Sequence, residues 1–248
     1  MLSVEATGAD KAERLINPDE VHVWQTTLTT PPQGLGTLLT VLSYAELERA
    51  GRFCRPTLQK RSIISAGALR HILSRYTAIA PAVLKFRANK YGKPELMPTT
   101  GSRHLHFNLS HSRDLALIAV SRCEIGVDIE YINPALDWKL LALQTCSKQE
   151  YLELMRCDPS LQRLMFFNLW TSKEAYIKGR GLGLSMPLKA ITVPLMDIAK
   201  RNRVDVEPDW DDGKPWYLYA ITLNDTYSAA LASPKVIHSQ RRLVWHCD

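Results

Sequence analysis

The chain has 248 residues, room for one large domain or two small ones, and its 46% hydrophobic and 23% charged residues are ordinary for a globular protein with a sizeable core. A formal net charge of +6 points to acidic partners such as phosphates, nucleic acid or an acidic protein. Five cysteines without a C-x-x-C pair argue against a disulfide framework or structural zinc; the N-terminus has no apolar signal core and no run is long enough to span a membrane, so a reducing cytoplasm is the expected setting.

In chain order, residues 1–20 read as a polar, frayed start, and "VHVWQTTL" (21–28) alternates as a strand ended by "TPPQG" (30–34). Ser43 reads as a helix N-cap with Glu46 as its capping-box partner, and a second helix covers about Pro56 to Tyr76. "RANKYGKPELMP" (87–98) reads as a basic, turn-rich loop. In 104–132 the apolar "LALIAV" is a buried strand, and "SRCE" turns the chain into "GVDIEYI". A helix follows around 148–156; the next is capped by Asp158, has Pro159 in its first turn, and runs to about Lys178, where "GRGLG" stops it. Strands at 216–223 and 227–233 precede a basic tail expected to be loose. Both halves read strand, helices, two-strand hairpin. The expected fold is α+β, a pseudo-twofold tandem of two similar α/β subdomains, at 21–123 and 124–234, with a tail at 235–248.

Within "VDIEYI", Asp128 and Glu130 share a strand face opposite Val127 and Ile129. In isolation this face reads equally as a solvated surface or as a site for a hard cation such as Mg²⁺. Glu174 and Lys178 are i,i+4 on a helix; as an exposed pair they would contribute only about 0.3–0.5 kcal/mol, but Trp170, Tyr176 and Ile177 make the face semi-buried. A third carboxylate beside a lysine there suits a metal-and-phosphate site. Ser110 and His111 are adjacent strand residues that point apart, with no nucleophile elbow, so polar contacts to a phosphate or ribose fit better than a catalytic pair. The "GRGLG" glycines follow a helix and are a helix stop, and a His104/His106 metal pair lacks a third ligand.

"FNLSHS" (107–112), "GVDIE" (126–130) and "WTSKEAYIKGRGLGL" (170–184), with "LERAGRF" (47–53) and "KYGKP" (90–94), resemble the Sfp-type 4′-phosphopantetheinyl transferases over roughly residues 20–233. The resemblance implies a monomer with coenzyme A and Mg²⁺ in the cleft between its subdomains. It implies transfer of phosphopantetheine from coenzyme A to a serine hydroxyl of an acyl or peptidyl carrier protein, with release of adenosine 3′,5′-bisphosphate. By motif, Asp128, Glu130 and Glu174 would hold the metal, and Lys178 would stabilise charge on the pyrophosphate or serve the leaving group. Arg49, Lys90, Gly92, Lys93, Asn108, Ser110 and His111 would contact coenzyme A, together with Asp128, Glu174 and Lys178. Glu150 of "SKQEY" (147–151) matches the acid proposed as base for the serine, with a metal-bound water as the alternative. Two readings compete with this one: a basic nucleic-acid-binding protein and a Mg²⁺-dependent phosphodiesterase.

Overall fold

A computed structural model describes residues 16–29, 32–98, 105–195 and 202–247. Strand β1 (Glu20–Thr27) alternates as its sequence demands: Val21 and Val23 enter one core while Trp24 enters another. Helices α1 (Pro32–Leu39), α2 (Tyr44–Gly51) and α3 (Pro56–Thr77) follow; of the turn expected at 30–34, residues 32–34 open a short helix instead, and residues 30 and 31 lie outside the described residues. Ser43 and Glu46 form the expected reciprocal capping box on α2. The basic stretch at 87–98 contains a small hairpin of β2 (Phe86–Ala88) and β3 (Pro94–Leu96), where Gly92 turns the chain at φ 88°.

Strands β4 (His106–Ser112), β5 (Leu115–Ser121) and β6 (Gly126–Tyr131) lead to α4 (Trp138–Thr145), α5 (Lys148–Arg156) and α6 (Pro159–Arg180). The short β7 (Ile191–Thr192) pairs with β9 (Asp205–Val206), and β8 (Asn202–Arg203), β10 (Tyr217–Ala220), β11 (Tyr227–Ser233) and β12 (Ser239–Val244) complete the described strands. Two four-stranded sheets result, in the orders β12-β1-β5-β4 and β6-β11-β10-β8. The triples β1-β5-β4 and β6-β11-β10 have the same antiparallel connectivity, and each half carries one 22-residue helix, α3 or α6. Within these elements the fold is α+β with a repeated topology.

Three cores hold the layers. Side chains from β1 and β5 meet Val127 and Ile129 of β6 and Ala229 and Leu231 of β11, so the sheets share an inner core. The opposite face of the first sheet packs on α3 through Ile64, Ala68 and Ile72, and that of the second on α6 through Phe166, Leu169 and Tyr176. Burial of this apolar surface, at about 25 cal/mol per Å², drives the assembly.

The C-terminal segment departs from expectation. β12 pairs in parallel with β1, Trp24 opposite Leu243, so the basic tail is the edge strand of the first sheet. Its sequence, "SQRRLV", shows no continuous apolar run because it is an edge strand. The expected frayed start also shortens: Ile16 is buried and β1 opens at Glu20. Among the described residues no helix is long and apolar enough to cross a membrane.

Candidate active site at the junction of the two sheets

β4 and β6 are edge strands of different sheets, and side chains join them where a backbone ladder does not. Asn108, Ser110 and Ser112 all leave β4 on one face, as a period of two requires. Asn108 Oδ1 accepts from the Val127 amide at 2.8 Å, Ser110 Oγ donates to Asp128 Oδ1 at 2.8 Å, and Ser112 Oγ donates to Glu130 Oε2 at 2.8 Å.

α6 approaches β6 unusually closely. A Cβ on Gly126 would lie 1.9 Å from the Ala175 carbonyl oxygen and 2.4 Å from the Gly179 nitrogen, so only glycine fits there. This contact lets a short carboxylate on β6 reach a lysine on α6. Lys178 Nζ lies 2.5 Å from Asp128 Oδ1 and 2.9 Å from Ser110 Oγ. Asp128 is 1% exposed, and its Oδ2 is buried with no hydrogen-bond partner.

The electrostatics gather the same residues. Burial raises the Asp128 pKa against the opposing pull of Lys178. Burial and the Asp128 charge raise Glu130 to about 7. Glu174 is raised by burial and then by Asp128. His111 is held below its ordinary value by desolvation and by the positive charges of Lys178 and Arg61, which favours neutral imidazole. Three carboxylates that resist joint ionisation therefore lie within the field of one ammonium, which pairs with Asp128.

As placed, no three His, Cys, Asp or Glu side chains among the described residues converge closely enough to hold a metal ion. The donor set nevertheless fits a hard divalent cation: all three groups are carboxylates, they repel one another, and the buried Asp128 Oδ2 has no hydrogen-bond partner among the described residues.

The structure thus brings together Asp128, Glu130, Glu174, Lys178 and Ser110, while His111 leaves β4 on the opposite face and feels the charges of Lys178 and Asp128. Asn108 is turned to the β6 backbone. Lys93 Nζ donates to the carbonyls of Ile125 (3.1 Å) and Gly179 (2.7 Å), and burial lowers its pKa to about 8. It ties the chain before β6 to the end of α6 in place of the expected free phosphate contact. Arg49 is exposed on α2; Lys90 is exposed beside Gly92, its Nζ 4.7 Å from the centre of the Tyr91 ring. No contact among the described residues joins Arg49 or Lys90 to the cluster. His106 opens β4, and His104 lies outside the described residues.

Glu150 is not brought to the cluster. It is 0% exposed, and Oε2 accepts from Lys173 Nζ at 2.5 Å and from the Ser147 amide at 2.7 Å, while Oε1 accepts from the Val193 amide at 2.8 Å. It is the capping-box residue of α5. Lys173 also donates to the carbonyls of Thr145 and Leu188, so the pair fastens α6 to the end of α4 and to the turn at Leu188. The S-x-x-E spacing of Ser147 and Glu150 repeats that of Ser43 and Glu46, a signal that marks the cap from sequence alone. Ser112 and Lys173 were the residues missed; the alternation of Asn108, Ser110 and Ser112 points to the first.

Comparisons with known proteins agree with this architecture. The family model described as 4′-phosphopantetheinyl transferase, N-terminal, matches residues 24–123, and that of the 4′-phosphopantetheinyl transferase superfamily matches residues 124–232. The chain is similar to 4′-phosphopantetheinyl transferase HetI of Nostoc sp., 39% identical over 77% of this chain and 81% of HetI. It is also similar to 4′-phosphopantetheinyl transferase Sfp of Bacillus subtilis, 29% identical over 79% of this chain and 83% of Sfp. Over 58% of this chain and 70% of the relative it is 37% identical to AcpT of Escherichia coli O157:H7.

Proposed function

The chain belongs to the 4′-phosphopantetheinyl transferase superfamily and transfers phosphopantetheine to carrier proteins, and on that premise we propose that the Asp128–Lys178 cluster is where the group leaves coenzyme A for a carrier serine. The serine oxygen gives up its proton to solvent and forms a bond to the phosphorus next to pantetheine, the bond from that phosphorus to the bridging oxygen breaks, and adenosine 3′,5′-bisphosphate leaves with the electron pair. Such a transfer depends on in-line positioning and charge neutralisation more than on covalent catalysis.

In this reading Asp128, Glu130 and Glu174 would hold Mg²⁺, which when bound neutralises phosphate oxygens that the carboxylates alone would repel. Lys178 supplies a fixed positive charge for the leaving bisphosphate, and Ser110 holds the lysine and Asp128 in one hydrogen-bonded set. His111, exposed at the end of β4 and favoured as neutral, is a donor for a phosphate or ribose oxygen. Glu150 would have to leave Lys173, Ser147 and Val193 to take the serine proton, so its proposed part is to hold α6 in place. The net charge of +6 supports acidic partners, and the five free cysteines agree with a reducing cytoplasm; a monomer is proposed, with both subdomains needed for one cleft.

The observation that carries the reading is the convergence of β4, β6 and α6 on Asp128. Its test is incubation with coenzyme A, Mg²⁺ and a panel of apo acyl and peptidyl carrier proteins, followed by intact mass. A phosphopantetheine adduct on at least one carrier, lost in Asp128→Asn, is expected. Equal loading by the folded variant would overturn the site.

A further inference from the structure

Ser112 joins the end of β4 to β6 without touching Lys178 or Asp128 among the described hydrogen bonds. Its hydroxyl accepts from the Tyr131 amide at 3.0 Å and donates to Glu130 Oε2 at 2.8 Å. The first bond orients the second: with a lone pair committed to a backbone N–H on β6, the hydroxyl proton is directed at the carboxylate one residue earlier on that strand.

The surroundings keep Ser112 in that position. It is the last residue of β4, and the turn that follows begins at Arg113, a non-glycine residue at φ 49°. Arg113 stacks on the Tyr131 ring, 3.6 Å from its centre, and Tyr131 meets Tyr227 edge-on at 5.6 Å. The β4–β5 turn is thus fastened to the end of β6 from both sides of the Tyr131 peptide. Glu130 itself is half-buried, and its backbone pairs with Ser228 of β11, so the side chain is the only part of it left to be set.

We propose that Ser112 is a positioning residue that fixes the Glu130 carboxylate for its cation. The inference rests on the reading of Glu130 as a cation ligand. Groups that orient metal-binding carboxylates typically contribute tenfold to a hundredfold in metal affinity. Ser112 differs from Ser110 in having no contact with Lys178 among the described interactions, so its effect is carried by Glu130 alone.

The test is titration of Mn²⁺ with coenzyme A present, reading free Mn²⁺ by electron paramagnetic resonance. Ser112→Ala is expected to weaken the Mn²⁺ Kd about tenfold. Ser112→Thr and Ser112→Val have the same shape and suit a strand, and differ in the hydroxyl; Thr is expected to keep the wild-type Kd and Val to lose it, which holds the test open if the alanine variant folds poorly. In a Glu130→Gln background, Ser112→Val is expected to change nothing further. If Glu130→Gln weakens Mn²⁺ binding and both folded Ser112 variants lacking the hydroxyl bind as wild type, this inference fails alone. If Glu130→Gln itself binds Mn²⁺ as wild type, the cation reading fails and this inference with it.

Discussion

Lys178 Nζ lies 2.5 Å from Asp128 Oδ1, while the other oxygen of that carboxylate is buried and unpaired. The ammonium therefore neutralises the same carboxylate whose free oxygen a cation would use, and the two compete for the charge of Asp128 in the unloaded protein. Lys178→Met is expected to tighten Mn²⁺ binding several-fold without coenzyme A, because removing the positive charge increases the local negative charge. The same variant is expected to lose at least about a hundredfold in transfer rate. Isothermal titration and a carrier-loading assay separate the two effects; weaker Mn²⁺ binding in Lys178→Met would contradict the competition.

Asp128→Asn and Glu174→Gln preserve shape and remove charge. Each is expected to cut carrier loading about a hundredfold or more at fixed Mg²⁺ while circular dichroism stays that of the wild type. Partial rescue of Glu174→Gln by raised Mg²⁺ is expected, since two carboxylates remain.

The pH dependence of stability follows from Glu130. Its folded pKa of about 7 lies above the ordinary 4.5, so the folded state holds the proton more tightly than the unfolded chain. The resulting stabilisation is fully present below pH 4.5 and is lost as pH rises toward 7. Asp128 and Glu174 are shifted in the same direction. Without divalent cation, the Tm is therefore expected to fall across this window, with a smaller fall in Glu130→Gln. Added Mg²⁺ is expected to raise the Tm more at pH 7.5 than at pH 5, as ligand linkage requires.

Gly126→Ala places a methyl group against the backbone of α6. The helix must move away from β6, separating Glu174 and Lys178 from Asp128. A cost of more than about 3 kcal/mol is expected, beyond ordinary overpacking because the obstacle is backbone. Chemical denaturation reads the loss, and recovery of the soluble variant with normal transfer would contradict the close-approach account.

Lys173 and Glu150 form a pair in which both side chains are 1% exposed. Removing one partner leaves a buried charge uncompensated: Lys173→Met alone is expected to destabilise by about 3–5 kcal/mol, and Lys173→Met with Glu150→Leu by clearly less. A double-mutant cycle on denaturation midpoints checks this. If Glu150→Gln instead kept wild-type stability and lost only the rate, the case for a proton-transfer role would be restored.

Period and capping make much of this legible from the residues alone. The alternation of Val127, Asp128, Ile129 and Glu130 gave the two faces of β6 correctly, because one face is wholly buried between the sheets. Proline at the first turn, after the Asp158 cap, placed the start of α6, since a missing N–H costs nothing there. What the sequence could not show was which charged groups end up buried and already engaged. Lys93 and Glu150 look like reactive residues in one dimension, yet each spends its polar atoms on backbone and partner groups distant in the chain. β12 was missed for the reason edge strands are often missed: its side chains are mostly polar and its partner is more than two hundred residues away.

That last strand has a consequence for how the protein is made. On a ribosome an N-terminal unit ordinarily folds before the next has emerged. Here β1 has β5 on one side early, but its other neighbour is Ser239–Val244. The first sheet stays one strand short through the synthesis of the second sheet, its β1 edge open until Ser239–Val244 has emerged. The two halves resemble each other in topology, but they finish as one unit, closed by a strand translated after both.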